Sequence, residues 1–402
     1  MAVIEGTIRD DGGAVINVKS SAFGAVGNGT TDDTAAIQAA INAAKGSGME
    51  GGTVVFPRGK YKFTSLSLDD SRNIQLVGVG SDAAGSAYGS ATDRPELICA
   101  ATGTATAISL KSCQGITFRN LRVRYSDASY TGTLIKTGHS ATYGSDSAHL
   151  DFDSCSFDGT PGTADDCACL LNLETAIVVT VRNCAFRTAV RAIIGRGTQY
   201  SNGVLIERCE FAGTSSHPIY NPGEAWTIQS CVFEQLSDNK AGAVDMDATN
   251  IVYAIGFTYI GNWHGDAATL GNNWVNVRPL GGVIMGNFFA VTASTSTGDA
   301  GVGLYAGTQG CLIAGNRFHR LATKGNGINF LGASSYGVTI AGNDFQADVP
   351  LVNPGNAVRP VYIGNNGQPN REVTGSRGGN AALASLLAQL ADAGLVIDST
   401  SA

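Results

Sequence analysis

A short motif recurs through most of the chain, and this repetition limits the possible folds more than any other feature of the sequence. The first copies read FDSCSF, VRNCAF, IERCEF and IQSCVF, and they begin at residues 152, 181, 206 and 228. Later copies read IMGNFF, IAGNRF and IAGNDF, so that Asn replaces Cys at the fourth position. This position recurs at residues 155, 184, 209, 231, 287, 316 and 343. We interpret the single gap of 56 residues as two repeats, with residues 255–257 as a degenerate copy.

Repeats of 22 to 30 residues with alternating apolar positions are typical of the coils of a β-solenoid. Each coil contributes short strands, and equivalent residues of successive coils stack about 4.8 Å apart. The repeat therefore predicts an all-β chain that forms a right-handed parallel β-helix, with ladders of Cys, Asn and Phe along its axis. One Cys per coil does not fit the paired ligands of a zinc site, and the close pair Cys167 and Cys169 is also expected to be structural.

Composition restricts the possible partners. The chain of 402 residues has a formal net charge of −7 and no basic block, which argues against nucleic acid as a partner. Nine cysteines are an odd number, so we expect free thiols rather than a disulfide framework. No basic segment followed by an apolar run opens the sequence, and no stretch of 18 apolar residues occurs. These features predict no signal peptide and no membrane partner. The expected locations are the cytoplasm, a virion, or the cell exterior after non-classical release.

Residues 21–61 contain a glycine-rich turn, a helix and a buried strand. Thr31 or Asp32 can cap the helix, and the acidic pair Asp32 and Asp33 suits the positive end of its dipole. Ile37 and Ile41 form its apolar stripe. We expect this helix to close the end of the solenoid, which would otherwise expose its core. The glycines of the turn lack the spacing of a dinucleotide site, so no cofactor is predicted, and no metal site is predicted either.

This segment resembles the N-terminal signature of the pectate-lyase-like β-helix superfamily, and the coil pattern extends the resemblance to about residue 365. The superfamily includes polygalacturonase-type glycosidases, polysaccharide lyases and phage tailspike depolymerases. The resemblance implies a polysaccharide or oligosaccharide substrate. We divide the chain into an N-terminal arm (residues 1–20), a capping segment with the helix (21–60), the parallel β-helix (61–370), and a linker with a short C-terminal helix (371–402).

The last segment differs in composition from the coils. A glycine-rich linker over residues 375–379 precedes an Ala/Leu-rich helix predicted for residues 380–397. Its apolar stripe consists of Leu383, Leu386, Leu387, Leu390 and Leu395. The tail is similar to C-terminal segments of phage fibre proteins, and its stripe can pack on its own chain or between subunits. Because tailspike-like relatives are homotrimers, the resemblance implies a homotrimer.

One strand of each coil precedes the Cys/Asn motif, and its aliphatic residues should point inward because strand side chains alternate. The remaining side chains then share one outer face, which we predict to be the sugar-binding face. Its members are Asn172, Glu174, Arg196, Tyr220, Asp245, Asp247, Asn276, Arg278, Tyr305, Asn329 and Tyr362. Aromatic rings can stack on sugars, while Asn and Arg side chains can hold hydroxyls or carboxylates.

Asp245 and Asp247 are the predicted acid and base of a glycosidase, which needs a general acid together with a base or nucleophile. They lie two residues apart on one predicted strand, so their Cα atoms are about 6.6 Å apart, nearer the inverting range than the retaining one. Glu224 follows the neighbouring strand and is the alternative partner. Four residues of adjoining turns are predicted to wall the groove: His217, Trp263, His264 and Asp266.

Several functions fit these residues. The first is a tailspike-like glycosidase that uses Asp245, Asp247 or Glu224 for acid and base catalysis. Its predicted substrate-binding residues are Tyr220, Asn276, Arg278, Tyr305, Arg196, Glu174, His264 and Trp263. A second possibility is a polysaccharide lyase or a transglycosylase such as the β-helical inulin fructotransferases. A third is a virion fibre that binds glycans without catalysis, in which Arg278 simply pairs with Asp247 and lowers its pKa.

Overall fold

In the computed structural model the chain forms a parallel β-helix with one helix near each end. The structure describes residues 7–10, 13–46, 51–80, 94–126, 130–142, 144–158, 167–195, 201–234, 242–246, 254–265, 273–290, 301–319, 327–332, 334–345, 352–353, 361–365, 371–376, 378–392 and 396–401. Three long sheets, named A, B and C below, surround one continuous apolar core.

Sheet A has fourteen strands and is parallel except for its first pair. Its strands are Thr7–Asp10, Gly13–Asn17, Gly52–Phe56, Ile74–Gly78, Thr117–Arg119, Ser147–Asp153, Ala176–Arg182, Asn202–Glu207, Thr227–Gln229, Thr258–Ile260, Val283–Met285, Leu312–Ala314, Thr339–Ala341 and Val361–Ile363. Stacking begins at Gly13–Asn17, which pairs with Gly52–Phe56, so the coils start before the predicted boundary at residue 61.

Sheets B and C are parallel throughout the described strands. Sheet B comprises Asn28–Asp32, Lys60–Phe63, Glu96–Cys99, Arg122–Tyr125, Ser156–Asp158, Ala185–Ala189, Glu210–Thr214, Val232–Glu234, Trp263–His264, Phe288–Ala290, Arg317–His319 and Asp344–Phe345. Sheet C comprises Leu66–Ser67, Thr106–Lys111, Thr133–Gly138, Cys169–Asn172, Ile193–Ile194, Ile219–Tyr220, Val244–Asp245, Val275–Val277, Val302–Leu304, Ile328–Phe330 and Val352–Asn353. Each coil passes from A to B to C, which confirms the predicted fold.

The turn from sheet A to sheet B is two residues long in every coil from Thr117 to Phe345, and the repeated motif spans it. The first turn residue has a positive φ, as at Asn183 (53°) and Arg208 (50°) in the first half and at Gly286 (65°) and Gly315 (60°) in the second. Glycine adopts this conformation without a steric penalty. The second turn residue is Leu121 in the first of these coils and Cys or Asn in the others, and its side chain is buried.

The Asn half of this ladder is a continuous chain of amide hydrogen bonds. Asn287 Nδ2 donates to Asn316 Oδ1 at 2.9 Å, and Asn316 Nδ2 donates to Asn343 Oδ1 at the same distance. The chain begins at Asn262, whose Oδ1 accepts the backbone N–H of Cys231. Asn262 therefore supplies the repeat missing from the gap of 56 residues. The choice of residues 255–257 as the degenerate copy was wrong, since Ala254–Ile255 pairs only with Pro279–Leu280, outside the three sheets.

All nine cysteines are buried and unpaired, as predicted. Those of the motif form the first half of the same ladder, and the thiols of Cys184, Cys209 and Cys231 each reach a backbone carbonyl of the preceding coil. Cys209 Sγ, for example, lies 3.5 Å from Val181 O. Burial raises the pKa of the Cys155, Cys184 and Cys209 thiols, so these thiols remain protonated and pack as small apolar groups.

Rings of sheet B form a second ladder inside the helix. The stack joins Phe157, Phe186, Phe211, Phe233, His264, Phe289, Phe318 and Phe345. Neighbouring centroids are 4.6 to 5.2 Å apart, so each coil contributes one ring at the spacing of the strands. His264 takes the place of a Phe in this stack.

Helix α1, Thr34–Lys45, covers the first coils with Ile37 and Ile41 buried, as predicted. Its N-cap is Asp33 rather than Thr31 or Asp32, and the Asp33 side chain makes no cap hydrogen bond. The buried Asp33 carboxylate instead accepts hydrogen bonds from the backbone N–H groups of Val26 and Gly27 at 2.7 and 3.0 Å. The two acidic residues thus have a structural role, which for Asp33 is to hold the glycine-rich turn.

The C-terminal segment is a strand–helix–strand unit rather than a linker and a helix alone. Helix α2, Ala381–Asp392, is shorter than predicted, and strand Val396–Ser401 pairs in parallel with Arg371–Ser376. Asn380 Oδ1 accepts the N–H of Leu383 at 3.1 Å and caps the helix. Among the described residues, neither helix has the length and apolar character needed to cross a bilayer.

Candidate functional site

The outer surface of sheet C carries one row of side chains in strict register. Successive members are Ser67, Ser109, Lys136, Asn172, Ile194, Tyr220, Asp245, Asn276, Gly303, Asn329 and Asn353. The aliphatic neighbours in each strand, such as Ile219 and Val244, are fully buried. The predicted face therefore exists for Asn172, Tyr220, Asp245, Asn276 and Asn329. Tyr362 does not belong to it, because Val361–Ile363 is a strand of sheet A.

Asp245 lies at the centre of the polar part of this row, and its side chain is only 15% exposed. Tyr305 Oη donates a hydrogen bond to Asp245 Oδ1 at 3.0 Å, although the two residues are 60 positions apart in the sequence. His217 Nδ1 lies 3.9 Å from the other carboxylate oxygen. A carboxylate, a phenol and an imidazole thus converge on one point of the outer face.

His217 is uncharged in this site at neutral pH. Burial, together with the nearby charge of Arg191, lowers the pKa of His217 to about 4. The 3.9 Å contact with Asp245 is consequently no ion pair above that pH, and it is too long for a hydrogen bond. His217 Nε2 is buried and has no hydrogen-bond partner among the described residues. A neutral imidazole is the form that can act as a hydrogen-bond acceptor or a general base.

Arg191 and Tyr220 complete the edge of the site on the preceding coils. The Arg191 guanidinium lies over the Tyr220 ring, 3.7 Å from its centroid, in a cation–π contact. In the strand register Arg191 precedes Ile193 by two residues, as His217 precedes Ile219. Arg191 thus holds the same position as His217 in the preceding coil, which places its charge close to the His217 ring.

On the other side of Asp245, two amides fill the space above the row. Asn276 Oδ1 accepts a hydrogen bond from Asn273 Nδ2, and both residues are buried. A Cβ atom at Gly303 would come within 2.2 Å of these amides, so this rung must be glycine. Arg278 lies beyond them with its guanidinium against Gly307, where a Cβ would approach Nη2 to 2.6 Å.

The remaining predicted residues fall in three places. Glu174 lies near Lys136, with Oε2 3.9 Å from Nζ. Glu224 lies in the connection from sheet C to sheet A, where its Oε2 accepts a hydrogen bond from Asn202 Nδ2 at 3.4 Å. Asp247, Arg196 and Asp266 lie outside the described residues.

The predictions for His264 and Trp263 were wrong. His264 is fully buried in the ring ladder, where it contacts Tyr259 Oη through Nε2 and Phe288 O through Nδ1. Burial lowers its pKa to about 3, so the ring is a neutral core residue. Trp263 is 38% exposed but begins a strand of sheet B beside the turn from sheet A, which is the edge away from sheet C.

Sequence reasoning missed Arg191 and the first members of the row. Arg191 could have been found from its position two residues before an inward Ile, the position that His217 also holds. Ser109 and Lys136 lie in coils without the Cys/Asn motif copies from which the face was aligned. Among the residues that the structure describes, no group of three or more His, Cys, Asp or Glu side chains is arranged to hold a metal ion.

Comparison with known proteins gives matches of two kinds. Residues 15–98 match a family model described as rhamnogalacturonase A/epimerase, pectate lyase-like. Mannuronan C5-epimerase AlgE1 from Azotobacter vinelandii is 47% identical over 70 residues, which is 16% of this chain and 5% of that protein. Alginate lyase 7 from the same organism is 47% identical over 70 residues, 16% of this chain and 8% of that protein. The chain thus matches only a small part of the length of these curated relatives.

Solved structures are similar over nearly the whole chain. The A-module of mannuronan C-5 epimerase AlgE6 from Azotobacter vinelandii has a TM-score of 0.57 at 18% identity, covering 89% of this chain and 93% of that one. DFA-IIIase from Arthrobacter chlorophenolicus A6 without its lid has a TM-score of 0.59 at 13% identity, with coverages of 87% and 94%. The catalytic unit of an α-1,3-glucanase from Streptomyces thermodiastaticus has a TM-score of 0.58 at 15% identity, with coverages of 90% and 70%.

At these identities the structural likeness establishes the fold alone. The predicted resemblance to the pectate-lyase-like superfamily is confirmed by the family model over residues 15–98, and the predicted fold is confirmed by the stacked parallel sheets. The chain is a parallel β-helix protein whose residues 15–98 are similar to the pectate-lyase-like family.

Proposed function

We propose that this protein is a carbohydrate-active enzyme that acts on a polysaccharide bound along sheet C, with Asp245 at the reacting centre. The observation that carries the proposal is the convergence of Tyr305 and His217 on the Asp245 carboxylate. Supporting it, the similar proteins named above include an epimerase, a lyase and a glucanase, all of which are carbohydrate-active by name.

Cleavage of a glycosidic bond is the reaction that we assign. The Tyr305 hydroxyl donates a hydrogen bond to Asp245 Oδ1 and orients this carboxylate. Asp245 then acts as the base or nucleophile. Asp247 lies two positions further along the chain and is the proposed general acid, with Glu224 as the alternative. Tyr220, Asn276 and Arg278 would bind sugar hydroxyls or carboxylates.

The test is release of oligosaccharides from a panel of neutral and acidic polysaccharides. Asp245→Asn should lower the rate by about 100-fold or more, because it removes the reacting carboxylate and keeps the side-chain size. Asp344→Asn is the matched control, since Asp344 lies in sheet B and should leave the rate unchanged. An Asp245→Asn variant that retains the wild-type rate would exclude this site.

Elimination is a second candidate, favoured by the Tyr305 hydroxyl and the neutral His217 ring. A base that removes a proton beside a carboxylate and an acid that protonates the leaving oxygen are what a lyase needs. The alginate lyase and the epimerases among the partial sequence matches add support. Products of the same assay distinguish the reactions, because only elimination gives an unsaturated uronate, whose conjugated double bond absorbs ultraviolet light. A cyclic product would instead indicate a transglycosylase, and binding with no product would indicate a glycan-binding fibre.

A further inference from the structure

A separate cleft lies at the N-terminal end of sheet C. Its volume is about 810 Å³, which is within the range typical of small-molecule sites. The floor consists of the first members of the outer row, Ser67, Ser109 and Lys136. The first turn of α1, with Thr34, forms one wall. Because the floor belongs to the same row as Asp245, a ligand can extend from the cleft along the sheet.

The lining of the cleft suits a ligand with many hydroxyl groups. Seven of its fifteen lining residues are Ser or Thr. Such a hydroxyl can be held in place by the protein: Ser109 Oγ, for example, donates to Asp69 Oδ1 at 2.6 Å. Hydroxyls fixed in this way keep lone pairs in defined directions, so they can accept hydrogen bonds from a sugar without reorganisation.

Two lysines supply positive charge on the floor of the cleft. Lys111 is opposite Gly138 in the register, and a Cβ atom at Gly138 would lie 3.1 Å from Lys111 Cγ. Because Gly138 has no side chain, the aliphatic part of Lys111 can pack against the next coil. Lys136 is on that coil, two residues before Gly138. From the strand spacing, the Cα atoms of the lysines are about 8 Å apart, close enough for both ammonium groups to contact one carboxylate.

Both lysines are accessible in the cleft, as is the carboxylate of Asp32. Lys136 is 42% exposed and lies 3.9 Å from Glu174, a distance at which a surface pair contributes little. Lys111 is exposed, and no ion-pair partner for it lies among the described residues. Asp32 and Asp69 also line the cleft, but each accepts backbone hydrogen bonds, from Thr34 and Lys111 respectively.

We propose that this cleft is a second saccharide site that binds an acidic sugar residue through Lys111 and Lys136. The inference rests on the proposed function for a polysaccharide ligand, and it adds that this polysaccharide is anionic. Lys136 is four strands from Asp245 in the register of sheet C, which is about 19 Å. One extended glycan chain can therefore occupy the cleft and reach the reacting centre.

The experiment is equilibrium binding to oligogalacturonate, oligomannuronate and oligoguluronate, and to the same oligosaccharides after reduction of their carboxyl groups. Wild type should bind at least one acidic probe about tenfold or more tightly than its reduced counterpart. Lys111→Gln and Lys136→Gln should each remove most of this difference while leaving the weaker binding of the reduced probe. Lys60→Gln is the control, because Lys60 is an exposed lysine of sheet B. The three substituted side chains are all outside the core, and thermal unfolding of each variant checks its fold.

The result separates this inference from the proposed catalysis. Asp245→Asn should keep the lysine-dependent preference for acidic probes even though it loses product formation. Lysine-dependent binding in a protein that forms no product would support the cleft and contradict only the enzyme. The proposed saccharide site is contradicted if no acidic probe is preferred over its reduced counterpart. It is also contradicted if the preference remains unchanged in both lysine variants.

Discussion

The imidazole of His264 lies where the adjacent coils place a phenylalanine ring, and its ionisation is tied to unfolding. The folded protein holds the His264 pKa at about 3 through burial, whereas an unfolded chain has an ordinary pKa of about 6.5. Between these values the unfolded state binds a proton that the folded state does not. Stability is therefore complete above about pH 6.5 and falls as the pH decreases towards 3.

This difference predicts the acid sensitivity of a variant. His264→Phe, combined with Tyr259→Phe to avoid an unpaired hydroxyl, should lose less stability than wild type between pH 7 and pH 4. The expected difference is about 1.4 kcal/mol for each pH unit below 6.5. Urea unfolding at several pH values measures it. His319→Phe is the control, since His319 is only partly buried on the same sheet, and a double variant as acid-sensitive as wild type would contradict the burial argument.

The sequence contains a copy of the motif that ends at His264, but this copy differs from the others at its last residue. Residues 259–264 read YIGNWH, which aligns with IAGNRF at residues 313–318 once His is accepted in place of Phe. A search for Phe at that position passes over this copy, so His264 was interpreted as a polar residue of a turn. Stacking between Phe233 and Phe289, at 5.2 and 4.6 Å, shows that the ladder selects a planar ring of suitable size.

Among the elements, the turn from sheet A to sheet B uses Cys and Asn for the same bond. Cys209 Sγ is directed at Val181 O, and Asn316 Nδ2 donates to Ile284 O at 2.9 Å. Both carbonyls belong to the corresponding row of sheet A in the preceding coil. Asn adds a carbonyl acceptor, which takes the backbone N–H of the Asn one coil earlier. The change from Cys to Asn along the chain thus adds hydrogen bonds between coils.

Removal of one Asn side chain from this ladder should lower the free energy of unfolding. Asn316→Ala leaves Ile284 O without its donor and Asn287 N without its acceptor, both in the buried ladder. The expected loss of unfolding free energy is on the order of 3 kcal/mol. Asn316→Cys should lose less, because a thiol can still reach the carbonyl. The midpoint of chemical unfolding measures both, with Asn329→Ala on the outer row as a control that should change little. Equal losses for Ala and Cys would show that the carbonyl contact is unimportant.

The repeated motif allowed the strands to be predicted from the sequence. Contacts between side chains of different coils could not be predicted in this way. The motif identified the parallel strands, the buried thiols and the outward position of Asp245. It could not identify the contact of Tyr305 with Asp245, because that contact crosses an intervening strand of sheet C, Val275–Val277. Arg278 and Tyr305 follow their strands rather than belonging to the row itself, so alternation alone does not fix their direction.

For the whole molecule, the homotrimer remains a prediction. Leu383 and Leu386 of α2 are 40% and 53% exposed, whereas Leu387 is buried, so the helix presents apolar side chains outward. Burying them between subunits would stabilise an assembly. Light scattering should give about three times the chain mass of 41.3 kDa for wild type. Leu383→Glu with Leu386→Glu should reduce it to one chain, and Ile255→Glu, at another exposed apolar residue, should not. A monomeric wild type would exclude the trimer.

The constant two-residue turn between sheets A and B has a consequence for how such a chain can change in length. The connections from sheet B to sheet C and from sheet C to sheet A differ in length from coil to coil. The turn between sheets A and B is always two residues long, so inward and outward side chains follow in the same order in these coils. A splice that joins Asn316 directly to Asp344 would excise 27 residues, the distance from Asn316 to Asn343, and leave every remaining ladder in step. Recombination at these turns can therefore add or delete whole coils, so the outer row of sheet C can lengthen by one rung at a time while the contacts of Asp245 with Tyr305 and His217 stay intact.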